Sequence, residues 1–138
     1  MTIKEIQEEI IEEFEMFDDW MQKYEYLIEL SKDIPLLEES HKLDENLIKG
    51  CQSKVWLQAS KEGETVRFTA DSDAIITKGI VALLVRVYDQ QKSKDILENE
   101  LHFIDAIGLK EHLSMTRSNG LVSMIKQMKF YALAFQAN

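Results

Sequence analysis

Residues 55–70 have the sequence VWLQASKEGETVRFTA, in which two β-forming runs flank a short polar loop. The first run is Val-Trp-Leu at 55–57. The second alternates apolar and polar side chains over 66–70, which is the period of a half-buried strand. The loop 61–64 contains a glycine and predicts a hairpin connection. Because an isolated hairpin is marginal in water, we expect this sheet to pack on helices, with 45–49 as a possible short third strand.

The residues before the hairpin predict helices. Thr2 and Glu5 fit a capping box, and apolar side chains then recur at spacings of three and four, as on one face of a helix. We expect a break at 18–19, an end to the helical region at Pro35, and a polar loop over 36–45. The apolar positions are Ile3, Ile6, Ile10, Phe14, Phe17 and Met21, continued by Trp20, Tyr24, Leu27 and Ile28.

The residues after the hairpin predict further helices. Ser72 or Asp73 is expected to cap the first of them, and a short helix over 93–99 and a turn over 103–108 follow. A long C-terminal helix is expected to start near Thr116 or Ser118. Helices, a small antiparallel sheet and further helices together define an α+β fold, here in a single domain over residues 1–138. Expected buried positions are Ile76, Ile80, Leu83, Leu84 and Val87, then Leu121, Met124, Ile125, Met128, Ala132 and Phe135.

Composition narrows the class of protein. The 138 residues, 45% hydrophobic and 30% charged, suit a globular domain with one core. No apolar run reaches the ~18 residues of a membrane span, and the N-terminus shows no secretory signal. With a single cysteine as well, we expect a cytoplasmic protein that does not bind membranes.

Charge argues against a nucleic-acid partner, because the formal net charge is -9. Residues 1–45 hold 15 of the 25 acidic side chains and only 4 of the 16 basic ones. We interpret this excess as a solvated face of the N-terminal helices. The alternative is an acidic surface that attracts a basic partner protein.

Cys51 is the only cysteine, so it can form neither an intramolecular disulfide nor a cysteine-rich metal site. A lone thiol is either an inert buried side chain or a group that reacts through its thiolate. Lys49 and Lys54 place positive charge near it in the sequence, and Gly50 allows a sharp bend.

The three histidines, His41, His102 and His112, show no ligand spacing with Cys51. A closed zinc site requires four ligands. We therefore predict no metal.

Three separated motifs resemble the SufE family. They follow the family's order and, with residues 19–30, cover roughly residues 10–135. In the third motif, Met115 stands where relatives often have proline. The motifs are Gly50, Cys51, Gln52 and Ser53 followed by Val55, Trp56 and Leu57; FTADSDA at 68–74 with ITKGI at 76–80; and LSMTRSNGL at 113–121.

This resemblance implies a sulfur acceptor in iron–sulfur cluster assembly, with a fold like that of IscU-type scaffolds. A pyridoxal-phosphate cysteine desulfurase, of the SufS kind, would pass persulfide sulfur to Cys51 and be stimulated by the exchange. Cys51 would relay the sulfur to an iron–sulfur scaffold complex. The chain would then be an accessory protein and not an enzyme. It would bind no cofactor, since the pyridoxal phosphate belongs to the partner.

The same motifs imply supporting roles for Gly50, Gln52 and Ser53 next to Cys51, and for Asp73 and Arg117 beside the Cys51 loop. Arg117 would favour the thiolate or persulfide anion, and Asp73 would hold that arginine or the loop in place. The alternatives are that Asp73 is an N-cap and that Arg117 belongs to a surface ion pair. We also expect apolar side chains to shield the sulfur of Cys51 until a partner docks.

Two other functions remain open. The first is an activator that binds a desulfurase allosterically without taking up sulfur. The second is a hydrolase with Cys51 as nucleophile, which would need a base such as histidine near the thiol. The oligomeric state is also open, with a homodimer among the possibilities.

Overall fold

The structure is a computed structural model. It describes residues 1–32, 44–48, 54–109, 111, 113 and 115–136, without the side chains of 44 and 115–117. Helices precede and follow a small antiparallel sheet, so the predicted α+β arrangement is confirmed. The elements are α1 (Ile3–Glu15), α2 (Trp20–Leu30), a 3₁₀ turn (Asp44–Asn46), β1 (Val55–Glu62), β2 (Thr65–Ser72), α3 (Ile75–Tyr88), β3 (Gln91–Lys92), α4 (Ser93–Glu98), α5 (Phe103–Ala106) and α6 (Met115–Gln136).

The sheet has the strand order β1-β2-β3, with both pairs antiparallel. The predicted hairpin is confirmed, and its strands run up to Glu62 and from Thr65, so the connection is shorter than expected. Gly63 takes φ +63° in this turn, a conformation that glycine adopts without strain. On its inner face the hairpin buries Val55 and Leu57 together with the apolar residues of β2, as the alternation predicts.

The predicted third strand over 45–49 is wrong in the described part of that segment. Asp44–Asn46 form a 3₁₀ turn, which leaves Leu47 as a single bridge to Trp56 of β1. The third strand is instead β3, which pairs with the start of β2.

The two N-terminal helices have the predicted apolar pattern except at the break between them. The capping box is formed: Glu5 N donates to Thr2 Oγ1 (3.1 Å), and Thr2 N donates to Glu5 Oε1 (2.9 Å). Asp19 then caps α2 by accepting a hydrogen bond from Gln22 N (2.9 Å). Met21 is 67% exposed, because α2 restarts after the break and does not continue the apolar stripe of α1. Pro35 and the predicted loop after it, as far as residue 43, lie outside the described residues.

Part of the acidic excess lies on the surface of α1. Glu5, Glu8, Glu12 and Glu15 are all exposed. Exposure fits both the solvated face and the surface for a basic partner, so the choice between them stays a prediction. None of the helices among the described residues combines the length and the hydropathy that a membrane span requires.

Helix α3 lies at the centre of the molecule, against β2, α1 and α2. Ile80, Leu83, Leu84 and Val87 are buried as predicted, while Ile76 is only partly buried. Helix α6 begins at Met115, close to the predicted start. It contributes Leu121, Met124, Met128 and Ala132 to the buried core, and Ile125 and Phe135 pack at its edge.

Candidate functional site

The structure places the two ends of the Cys51 segment side by side. This segment is residues 49–53, which include Gly50, Cys51, Gln52 and Ser53 and lie outside the described residues. Before it, Ile48 N donates a hydrogen bond to Val55 O (2.8 Å), and Leu47 bridges to Trp56. The chain therefore enters and leaves the segment at the same end of β1.

The turn between β2 and α3 holds Lys54, the first described residue after the segment. Lys54 N donates to Asp73 Oδ1 (3.0 Å). Lys54 O accepts from Asp73 N (3.2 Å) and from Ser72 Oγ (2.9 Å). Both backbone polar groups of Lys54 are thus bound by two consecutive residues. We call these contacts of Ser72 and Asp73 with Lys54 the Lys54 clamp.

The clamp also explains why the predicted N-cap is wrong. The N-cap of α3 is Ala74, which makes no side-chain cap hydrogen bond. The side chain of Asp73 is directed to Lys54 N, and Ser72 Oγ both donates to Lys54 O and accepts from Ala74 N (3.2 Å). Serine and aspartate side chains satisfy nearby backbone groups in turns as readily as at helix ends. Here the pairing of β1 with β2 decides which groups they meet.

Of the five predicted supporting residues, Gly50, Gln52 and Ser53 lie outside the described residues. The structure places Asp73 at the edge of the Cys51 segment. Arg117 lies in the first turn of α6, and its side chain is outside the described part. A contact between Arg117 and Cys51 stays a prediction.

Sequence reasoning missed two further residues next to the clamp. Asp71 is 7% exposed, and its Oδ1 accepts a hydrogen bond from Ser72 N (2.8 Å). The same oxygen is 3.2 Å from Lys78 Nζ, on the first turns of α3. The sequence did contain a signal for this pair. An acidic residue follows the buried positions of the predicted strand, and a lysine comes seven positions later.

A second charged cluster joins α1, α2 and α3. Arg86 donates to Glu13 Oε1 (2.9 Å) and also pairs with Glu9, and Tyr26 donates to Glu13. The Arg86 guanidinium lowers the pKa of Glu13 below its ordinary value, and Glu13 raises the pKa of Arg86. Burial and the bond to Glu13 raise the pKa of Tyr26 to about 12. The cluster shares no residue with the Lys54 clamp and serves to join the helices.

The described residues do not decide whether a metal binds at the Cys51 segment. Among the residues that the structure describes, no three His, Cys, Asp or Glu side chains are grouped as a metal site requires. Cys51, His41 and His112 are outside that set, and His102 is exposed beside α5. The absence of a metal therefore stays a prediction.

We expect Asp73→Ala to weaken the clamp selectively. Loss of the carboxylate acceptor removes about 1 kcal/mol of local stability, which corresponds to roughly fivefold faster hydrogen exchange at the Lys54 amide. Amide exchange followed by NMR measures this directly.

A matched control for this variant is Asp19→Ala. Asp19 accepts a backbone hydrogen bond of nearly the same length (2.9 Å) at the start of α2. It should accelerate exchange at Gln22 and leave Lys54 unchanged. An unaltered Lys54 rate in Asp73→Ala would contradict the clamp.

The fold and the clamp define a class: a small α+β protein whose only cysteine lies in a segment anchored at the end of a hairpin. Comparison with known proteins gives the family. A family model named SufE, the Fe-S metabolism associated domain, matches residues 8–132. The chain belongs to the SufE family.

Curated relatives agree with this assignment. An uncharacterized SufE-like protein of Rhizobium meliloti is 37% identical over 127 residues, which are 88% of this chain and 91% of the relative. An uncharacterized SufE-like protein of Rhizobium etli is 39% identical over 127 residues, 88% of this chain and 86% of the relative. The resemblance drawn from the three motifs is therefore confirmed at the level of the family.

The fold is also found in a solved structure. The solution structure of a hypothetical protein from Thermus thermophilus matches with a TM-score of 0.79, covering 96% of this chain and 97% of that one. At 19% identity this likeness shows the shared fold alone.

Proposed function

We propose that this protein accepts sulfur on Cys51 from a pyridoxal-phosphate cysteine desulfurase and relays it to an iron–sulfur scaffold. The observation that carries the proposal is the position of the only thiol: it lies inside the region that matches the SufE family, whose domain is associated with Fe–S metabolism. In this function the protein is a cytoplasmic accessory to the desulfurase and holds no pyridoxal phosphate of its own.

The transfer is an exchange at sulfur. The Cys51 thiolate attacks the outer sulfur of the desulfurase persulfide, and a new S–S bond forms as the old one breaks. The outer sulfur keeps its proton, so Cys51 becomes the persulfide and the desulfurase cysteine leaves as a thiolate. No external oxidant or reductant is needed, because one persulfide replaces another.

The rate of this exchange depends on the thiolate fraction of Cys51 and on its access to the donor. In the proposed mechanism Arg117 favours the anionic forms of Cys51. The anchoring of Lys54 and Ile48 supports the second requirement, because both ends of the segment are hydrogen-bonded to the sheet or to the turn after it. Ile48 and Lys54 therefore fix the two points between which the chain carries Cys51 to the donor.

Sulfide release by the desulfurase tests the proposal against simple activation. With cysteine and a thiol reductant present, two reductant thiols convert each Cys51 persulfide to the free thiol, a disulfide and sulfide. We expect the wild-type chain to increase the rate of sulfide release and Cys51→Ser to abolish that increase. Binding of both proteins to the desulfurase is measured in parallel, by calorimetry, to show that the serine variant still docks.

Stimulation that survives in a bound Cys51→Ser protein would contradict the transfer proposal and would favour an allosteric activator. Cys51→Ala extends the same comparison, because it also removes the hydroxyl that the serine variant introduces.

A further inference from the structure

A largely buried ion pair lies directly behind the Lys54 clamp. Asp71 is the last residue but one of β2, and Lys78 lies in the first turns of α3. Their side chains are 9% and 26% exposed, and Lys78 Nζ is 3.2 Å from Asp71 Oδ1. The pair therefore ties the end of the strand to the start of the helix across the turn 72–74, which contains both clamp residues.

The pair is linked to Lys54 by a continuous set of hydrogen bonds. Asp71 Oδ1 accepts a hydrogen bond from Ser72 N (2.8 Å) and forms the ion pair with Lys78. Ser72 Oγ then donates to Lys54 O (2.9 Å), and Asp73, the next residue, binds both Lys54 N and Lys54 O. A shift of the Asp71 carboxylate would thus move the backbone from which both clamp residues project.

Stability alone gives little reason for an ion pair at this position. A buried carboxylate must be paired and hydrogen-bonded to offset its desolvation, and apolar residues of similar volume usually stabilise a fold at least as well. An ion pair adds a fixed geometry, because one carboxylate oxygen must contact both a backbone N–H and an ammonium group.

We propose that Asp71 and Lys78 are positioning residues for the Cys51 segment. They hold the turn 72–74 in the conformation in which Ser72 and Asp73 bind Lys54, and so set the point at which the segment joins β1. The inference rests on the proposed function of Cys51 and adds to it two residues that act through the clamp and touch no substrate.

The test compares three lysine variants. Lys78→Met removes the charge and keeps most of the apolar stem, while Lys78→Arg keeps the charge. Lys129→Met is the control at a lysine of similar burial. Lys129, on α6, is 20% exposed and lies 3.1 Å from Glu100, whose side chain is 88% exposed. Asp71→Asn is a second test variant, because its amide oxygen can still accept Ser72 N–H.

The first measurement needs no partner protein. In Lys78→Met we expect the Lys54 amide to exchange about fivefold faster, with the Phe68 amide in the middle of β2 unchanged. Lys78→Arg should stay within about twofold of the wild type, and Lys129→Met should leave the Lys54 amide unchanged. An unaltered Lys54 rate in Lys78→Met, or the same acceleration in Lys129→Met, would overturn the inference. If Lys78→Met does not fold, Asp71→Asn is measured against the same expectations.

The second measurement is the rate at which Cys51 gains sulfur, at saturating protein and well below the melting temperature. We expect roughly fivefold slower gain in Lys78→Met or Asp71→Asn, and recovery in Lys78→Arg. A purely structural role would lower the melting temperature and leave this rate unchanged, which would overturn the inference. If the wild type itself gains no sulfur, the proposed function is overturned instead. The exchange rate of the Lys54 amide would still show whether the ion pair positions the clamp.

Discussion

Gly79→Ala is expected to lower the melting temperature by about 8 °C, although alanine is the better helix former. Gly79 lies in α3, and a Cβ built on it would be 2.3 Å from Leu27 O and 2.8 Å from Leu27 C. These are backbone atoms of α2, so no side-chain rotation can relieve the overlap. Overpacking of this kind costs about 3 kcal/mol, and the gain in helix propensity returns only ~1 kcal/mol. Thermal unfolding followed by circular dichroism measures the result.

Gly63→Ala is the control for this prediction. Gly63 has φ +63° in the hairpin turn, and no atom lies within 4 Å of a Cβ built there. This variant carries backbone strain of about 1 kcal/mol without a clash, so its melting temperature should fall by about half as much. A Gly79→Ala protein as stable as the wild type would contradict the close packing of α2 on α3.

Arg86→Met is expected to destabilise the protein by about 2 kcal/mol at pH 7, less than the loss of a fully buried pair because all partners keep some exposure. The methionine leaves Glu9 and Glu13 facing each other without the guanidinium. Because Arg86 lowers the pKa of Glu13 below its ordinary value of 4.5, this stabilisation is complete above that pH. It is lost as the pH falls through the lowered pKa of the folded state. The difference between wild type and Arg86→Met should therefore shrink on acidification.

A double-mutant cycle with Glu13→Gln isolates the pair. The double variant should recover part of the stability lost in Arg86→Met, and the wild-type advantage over it should depend less on pH. Urea unfolding at a series of pH values from neutral to acidic gives these free energies. An Arg86→Met deficit that stays constant or grows as the pH falls would contradict the assignment of the cluster.

Local sequence patterns predicted most of the helices and strands. The features that they missed depend on contacts between residues far apart in the sequence. The alternation of Val66, Phe68 and Ala70 is enough to predict a strand, because it depends on neighbours two residues apart. Met21 was misplaced because the apolar period of one helix was carried across a break into the next. The close approach of Gly79 to Leu27 was not predicted, because it depends on how two helices pack.

The candidate site shows the same limit. The only cysteine and its flanking residues could be recognised from the sequence, since their identity alone carries the family resemblance. The Lys54 clamp could not, because Ser72 and Asp73 are equally good N-cap residues. Only the pairing of Val55 with Ser72 brings Lys54 opposite Asp73. The role of Asp71 was hidden for a related reason: its partner Lys78 is on another element.

The most direct test of sulfur transfer to Cys51 is the intact mass of the chain after incubation with a purified cysteine desulfurase and cysteine. The wild-type protein should gain about 32 Da, one sulfur atom, and lose it again on treatment with a thiol reductant. Cys51→Ser should keep its original mass under the same conditions. An unchanged wild-type mass, or the same gain in Cys51→Ser, would contradict the account.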